Sequence, residues 1–271
     1  MKTLLVIDGH YFLWRAYSVP FKFFSKNGTP LHVLTMYLKL IRKHLEGIQK
    51  YTGHECTDIV VVFDSNSPLS KKEIFDGYKS NRKDISEDEE NPYKHLPYIF
   101  EMLENLGIRY LMEDNIEGDE LLGTVVKRFT ALDPDNHCFI GSIDTDFYQL
   151  ISEKVKLISL GKNESYTIKD RDFLSHQLRI TPDQYIYHKS LTGDTADNIP
   201  GVPNIGPIRA SKIINNELVI DLTPFTDIIE RNKKLICLNC DYKLDIDWED
   251  LKLNILKLNS SNIEIFELCG F

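Results

Sequence analysis

Two carboxylates, Asp194 and Asp197, stand three residues apart in the stretch 191–206, LTGDTADNIPGVPNIG. Acids crowded into a partly dry cleft repel, and some must take up protons unless a cation joins them. With no cysteine or histidine beside them, an all-oxygen donor set suits Mg2+ or Mn2+ better than zinc. Two turns follow at once, NIPG at 198–201 and PNIG at 203–206, with Gly201 and Gly206 bounding a short hairpin. Backbone N–H groups in such turns, and at the start of the helix expected next, can hold a phosphate. Acids for a metal beside a grip for phosphate suggest an enzyme that cuts the nucleic-acid backbone. Two acids do not complete a metal site, so the rest of the chain must supply the other ligands.

The remaining elements can do so. Residues 3–7 (TLLVI) and 58–63 (DIVVVF) read as buried strands that run into Asp8 and Asp64. Between them Leu34, Leu38, Ile41, Leu45 and Ile48 recur at helical spacing. A helix over about 93–106 stops at Gly107 and feeds a strand at 108–112. Another helix opens near Glu117, with Leu121, Leu122, Val125, Val126 and Phe129 on one face. The strand 137–142 (HCFIGS) precedes Asp144 and Asp146, and 155–159 is one more strand. Strands alternating with helices give an α/β fold: a mostly parallel central sheet with helices on both faces. Ligands of such sheets bind beyond the carboxyl ends of the strands. Asp8, Asp64, Glu117, Asp144 and Asp146 all fall on that rim. Each of these acids alone is more often a solvated side chain or a helix cap. Convergence from four segments is what points to a metal centre. Two ions about 3.5–4 Å apart would there activate a water and stabilise the leaving oxygen of a phosphodiester.

The motifs LLVIDGHYFLWRAY, VVVFDS, GYKSNR, IEGDELLGTVV, IGSIDTDFYQL and LTGDTADNIPGVPNIG occur in this order. In them the chain resembles the 5′-nucleases, that is, flap endonucleases and the 5′-nuclease domain of bacterial DNA polymerase I, over residues 4–271. The resemblance implies a PIN-like core, and a free-standing version of the nuclease domain. It implies that Asp8, Asp64, Glu117, Asp119 and Glu120 serve a first metal region and Asp144, Asp146, Asp194 and Asp197 a second, with two or three Mg2+ or Mn2+ ions. It places 70–97 as a helical arch over the active site, beneath which a single strand would pass and stack on aromatics, with Tyr78 among the DNA-binding residues. Lys79 and Arg82 would contact the scissile phosphate and stabilise transition-state charge, and Arg15 is another substrate-side residue. Stretch 181–271 becomes a helix-hairpin-helix DNA-binding region with a tail packing on the core at 1–180. Arg209 and Lys212, one helical turn apart beyond the hairpin, read as contacts to a duplex backbone, and a K+ ion at the hairpin carbonyls is compatible with the same family. The implied activity is that of a 5′-3′ exonuclease and flap endonuclease in replication or repair. Its partners would be flap, nicked or overhanging DNA, RNA–DNA primers among them, with a monomeric chain and a replication polymerase nearby.

Two departures stand out. The family has Glu-Ala-Asp-Asp where this chain has Glu117-Gly118-Asp119-Glu120. Gly118 should loosen the start of its helix by up to about 1 kcal/mol relative to alanine, and Glu120 is one methylene longer than aspartate. The stretch 213–236 is short and shows no clear helical spacing.

A net charge of −9 looks wrong for a nucleic-acid binder. Setting the nine metal-region acids aside leaves 32 of the 41 acids against 32 Lys and Arg, with several of the remainder in the acidic runs 84–90 and 241–250. The pI therefore excludes little. Five scattered cysteines argue against a disulfide framework, and the pair Cys237 and Cys240 lacks partners for zinc. The eight histidines show no ligand spacing and are read as structural. No apolar run reaches a membrane span, which makes the cytoplasm of a bacterial or phage-infected cell the expected location. The rival readings are a PIN-type ribonuclease and a non-catalytic binder of branched DNA.

Overall fold

A computed structural model describes residues 1–65, 70–81, 91–161 and 165–271. Six of its strands form one sheet: β1 (Thr3–Asp8), β2 (Asp58–Val62), β3 (Arg109–Leu111), β4 (His137–Gly141), β5 (Val155–Leu160) and β6 (Tyr166–Lys169). Their order is β3-β2-β1-β4-β5-β6, parallel throughout except for β6, which returns antiparallel to β5. The antiparallel edge was not expected from the sequence. Its alternation is weak because all four residues are at most half-buried.

Strand β1 lies at the centre, and its alternating side chains feed two separate cores. Leu5 and Ile7 join the core beneath α1 (Gly9–Tyr17), α2 (Leu31–Thr52) and α3 (Leu96–Leu106). Leu4 and Val6 join the core on the opposite face, under α4 (Gly118–Leu132) and α5 (Arg171–Leu178). Five consecutive buried residues on β1 are what a strand covered on both faces requires.

Beyond α5 come α6 (Tyr185–Thr192), the two-residue pair β7 (Gly193–Asp194) and β8 (Ile199–Pro200), α7 (Pro207–Ile214) and α8 (Thr226–Ile236). Helix α8 corrects the reading of 213–236 as lacking helical spacing. Its buried stripe is Ile229, Asn232, Leu235 and Ile236. The polar Asn232 sits in the middle of that stripe and hides it from a hydropathy pattern. Finally α9 (Ile255–Leu258) and α10 (Asn262–Leu268) return to the first core, where Leu258, Ile265, Phe266 and Cys269 are buried. Arg42 of α2 fixes this return by donating to the carbonyls of Leu258 and Ser260 and to Asn262 Oδ1. Among the described residues no helix is long and apolar enough to cross a membrane.

Of the expected arch, residues 70–81 form a short 3-10 turn (Ser70–Glu73) followed by further turns, and Pro92–His95 is another 3-10 turn leading into α3. Arg82 and the acidic run 84–90 lie outside the described residues.

Candidate metal centre and phosphate grip

Register carries the acids to one rim. Asp8 lies opposite Val62 on β2, so Asp64 falls two residues further along the same edge. Ile7 lies opposite Gly141, and Ser142 just beyond β4 donates to Asp8 Oδ2 at 2.9 Å. The same hydroxyl accepts from the Asp144 N–H, and Asp144 Oδ1 accepts from the Asp146 N–H at 2.8 Å. Asp8 is also the N-cap of α1, its Oδ1 accepting from Tyr11 N–H. Capping and site geometry are therefore one constraint.

Glu117 is the N-cap of α4, but its side chain makes no capping bond. Instead Oε2 accepts from Tyr78 OH at 3.1 Å and from Lys79 Nζ at 2.8 Å. Its Oε1 is buried with no hydrogen-bond partner among the described residues. An orphaned buried carboxylate oxygen costs about 1–3 kcal/mol or more, and a cation would satisfy it. Asp119 follows in the first turn of α4. Burial, then Asp144, Asp64 and Asp8, push its carboxyl far above the usual range. Burial, with Asp64 and Asp144 adding to it, raises Asp8 to about 6. Asp64 moves the other way. The desolvation that would raise it is outweighed by His10, the Gly118 N–H and Lys79. His10 Nδ1 lies 3.2 Å from Asp64 Oδ2, so one histidine read as structural does touch the acid cluster.

The second group is tighter. One oxygen each from Asp146, Asp194 and Asp197 falls within 4.8 Å of the others. Asp146 is raised to about 6, by burial first and by Asp144 and Asp194 against the pull of Lys189. Lys189 of α6 is buried between Asp146 and Asp194, 2.6 Å from the latter. Sequence reasoning missed this lysine. Its only signal is its place five residues before Asp194 on a helix whose neighbouring positions are mostly buried. The all-oxygen donor set, the orphaned Glu117 oxygen and the acids driven upward by one another fit hard divalent cations.

Glu120 is not brought into this group. Its carboxylate meets Lys71 Nζ at 3.1 Å and Tyr242 OH at 2.7 Å, with the Asn239 N–H at 3.4 Å. It thus ties 70–81 to the returning C-terminal stretch. Tyr78, expected at the DNA surface, is 2% exposed. Its ring packs with Ile199, Leu235 and Ile236, so it offers no face to a base. Lys79 is likewise buried, beside Glu117 and 3.9 Å from Asp197. Arg15, at the last turn of α1, donates to Tyr11 OH and to the Gly161 carbonyl.

The hairpin 201–206 joins α6 to α7 through a small core of Leu191, Val202, Ile205, Ala210 and Ile229. Gly201 is required by close packing: a Cβ there would lie 2.4 Å from the Thr192 carbonyl. Gly206 has an ordinary backbone, and a Cβ on it would point into open space. Arg209 and Lys212 lie on α7, Arg209 exposed and donating to the Asn204 carbonyl at 2.9 Å.

The profile described as "5'-3' exonuclease, N-terminal resolvase-like domain" matches residues 3–177. The chain belongs to the 5′-3′ exonuclease family. This exonuclease is 30% identical to the 5'-3' exonuclease of Buchnera aphidicola subsp. Schizaphis graminum, over 99% of its own length and 93% of the relative's. It is 30% identical to DNA polymerase I of Lactococcus lactis subsp. cremoris over 78% of its length, but spans only 24% of that polymerase. Among solved structures it is similar to the T5 D15 protein co-crystallised with metal ions, with TM-score 0.69, 20% identity, and 99% and 100% of the two chains covered. It is also similar to flap endonuclease-1 of Methanococcus jannaschii, with TM-score 0.56, 14% identity, and 98% and 92% covered. At these identities the structural likeness establishes the shared nuclease fold. Family membership makes the exonuclease a phosphodiester hydrolase.

Proposed function

We propose that the chain is a structure-specific, divalent-metal-dependent 5′-nuclease acting on DNA at 5′ ends and flap junctions, in primer removal or repair. The observation that carries this reading is the single rim holding Asp146, Asp194 and Asp197 within 4.8 Å of one another beside the orphaned Glu117 oxygen. The hairpin follows only four residues after Asp197. Asp8, Asp64, Glu117 and Asp119 would hold one ion and Asp144, Asp146, Asp194 and Asp197 another, Mg2+ or Mn2+ in the cell. Such ions supply an activated water and stabilise the leaving oxygen of a phosphodiester.

The chain's own residues do the rest. Hairpin N–H groups and the start of α7 grip a duplex phosphate, with Arg209 and Lys212 adding form-specific backbone contacts. Carbonyls of the same hairpin suit a K+ ion. Lys79 places a cation beside Glu117 and Asp197, where developing phosphate charge needs one, and Arg82 and Arg15 are assigned substrate-side roles with it. A solved relative in fold, the T5 D15 flap endonuclease, is a pseudo-enzyme-product complex with DNA and metal ions, which supports DNA as substrate. RNA–DNA primers, a monomeric state and a neighbouring replication polymerase complete the proposal.

The test uses 5′-labelled flap DNA, blunt duplex and hairpin RNA, each with Mg2+ or with EDTA. Cutting of the flap near its junction in Mg2+ alone is the expected result. No metal-dependent cutting of any substrate would overturn the enzyme reading, and cutting of RNA only would favour a PIN-type ribonuclease.

A further inference from the structure

The turn that links the second acid pair to the hairpin is stitched to the segment that carries Lys79. Asn198 holds a left-handed φ of 56°, and its Nδ2 donates to the Gly77 carbonyl at 2.8 Å and to Ser80 Oγ at 3.0 Å. These two acceptors lie on either side of Lys79. From the other direction, Asn81 Nδ2 donates to the Thr195 carbonyl at 3.0 Å and Lys79 N–H to the Asp197 carbonyl at 2.9 Å. Beneath these bonds Phe75 and Tyr78 pack with Ile199, Leu235 and Ile236. Arg231 lies over the Phe75 ring at 4.5 Å and donates to the Pro200 carbonyl.

Lys79 itself has φ of 53°, a conformation that a long side chain adopts only where its surroundings over-determine it. The surroundings that do so here belong to the turn 194–201. We infer that Asn198 is a positioning residue for Lys79. Its side-chain amide clips the 77–80 turn to the entry of the hairpin, so that the Lys79 ammonium stands over Glu117 and Asp197 only when the hairpin is seated. The phosphate grip and the cation beside the acids then move as one piece. This inference rests on the reading of Lys79 as a group acting on the scissile phosphate.

The experiment is a double-mutant cycle in single-turnover flap cleavage, with DNA dissociation constants measured in Ca2+. Asn198→Gly keeps access to the left-handed backbone and removes the amide. It should slow cleavage by about ten- to a hundredfold, the range a displacement of about 1 Å can cost, while the dissociation constant stays within about twofold of wild type, since an unmoved grip binds as before. In a Lys79→Ala background the same change should have no further effect. Asn198→Asp keeps the shape, loses the donor, and should match the glycine variant. Multiplicative losses in the Lys79→Ala background, or equal losses in rate and binding, would overturn the positioning role, as would wild-type behaviour of Asn198→Asp. If Lys79→Ala alone cleaves at the wild-type rate, the reading of Lys79 falls and the inference with it.

Discussion

At the residue scale, the departure at Gly118 has a local cause. A Cβ on Gly118 would lie 2.8 Å from Asp64 Oδ1 and 3.1 Å from its Cγ, and the Gly118 N–H already donates to that oxygen at 2.5 Å. Glycine lets the start of α4 close onto Asp64, a close approach held at the expense of helix propensity. Gly118→Ala should therefore gain up to about 1 kcal/mol of helix propensity and yet lose activity, because Asp64 is displaced. Urea denaturation beside cleavage rates would check this: unchanged or higher stability with a rate slower by about tenfold or more is expected, the scale of loss a small misplacement at the chemistry can bring. The acids at 8, 64, 144 and 146 were legible in the sequence because each follows an apolar run. Lys189, His10 and the partners of Glu120 were not, since they depend on side chains meeting across long stretches of chain. Tyr78 shows the same limit. Its aromatic ring suggested stacking, but the fold spends it on packing and on a bond to Glu117.

At the scale of elements, the small C-terminal helices act as supports. Asn232 of α8 is fully buried. It donates to the Ser190 carbonyl at the end of α6 and to the Pro200 carbonyl at the hairpin entry, at 3.0 and 2.9 Å. Leucine in its place would take that donor from both carbonyls: the Pro200 carbonyl keeps Arg231, while the Ser190 carbonyl loses a buried partner, at about 1–3 kcal/mol. Asn232→Leu should lower unfolding stability by about 2 kcal/mol or more, read from urea midpoints, and weaken duplex binding. An equally stable protein with unchanged affinity would contradict that support role. The strand–helix alternation was readable because apolar periodicity carries it. Helix α8 was not readable, because a polar residue occupies the centre of its buried face. The antiparallel β6 was missed for want of a buried face.

For the whole molecule, the concentration of acids links stability to pH and to metal. Burial above all raises Asp8 and Asp146 to about 6. A carboxyl raised above its unfolded value contributes stability that is intact below about pH 4, the unfolded value, and is lost as pH rises through about 6. Metal binding requires the deprotonated acids, so affinity grows in the same direction. The rise in melting temperature on adding Mg2+ should therefore be larger at about pH 8 than at about pH 5. An equal rise at both, or a larger one in acid, would mean these acids do not receive the metal. The net charge of −9 is in this light a property of one rim more than of the whole surface.

The central claim is that acids from the strand ends, the start of α4 and the turn before the hairpin form one metal centre. Anomalous diffraction from crystals soaked in Mn2+ tests it most directly. Peaks among Asp146, Asp194 and Asp197, and between Asp8, Glu117 and Asp119, with none at Glu120, are the predicted result. No peak on this rim, or one held between Glu120 and Tyr242, would contradict it.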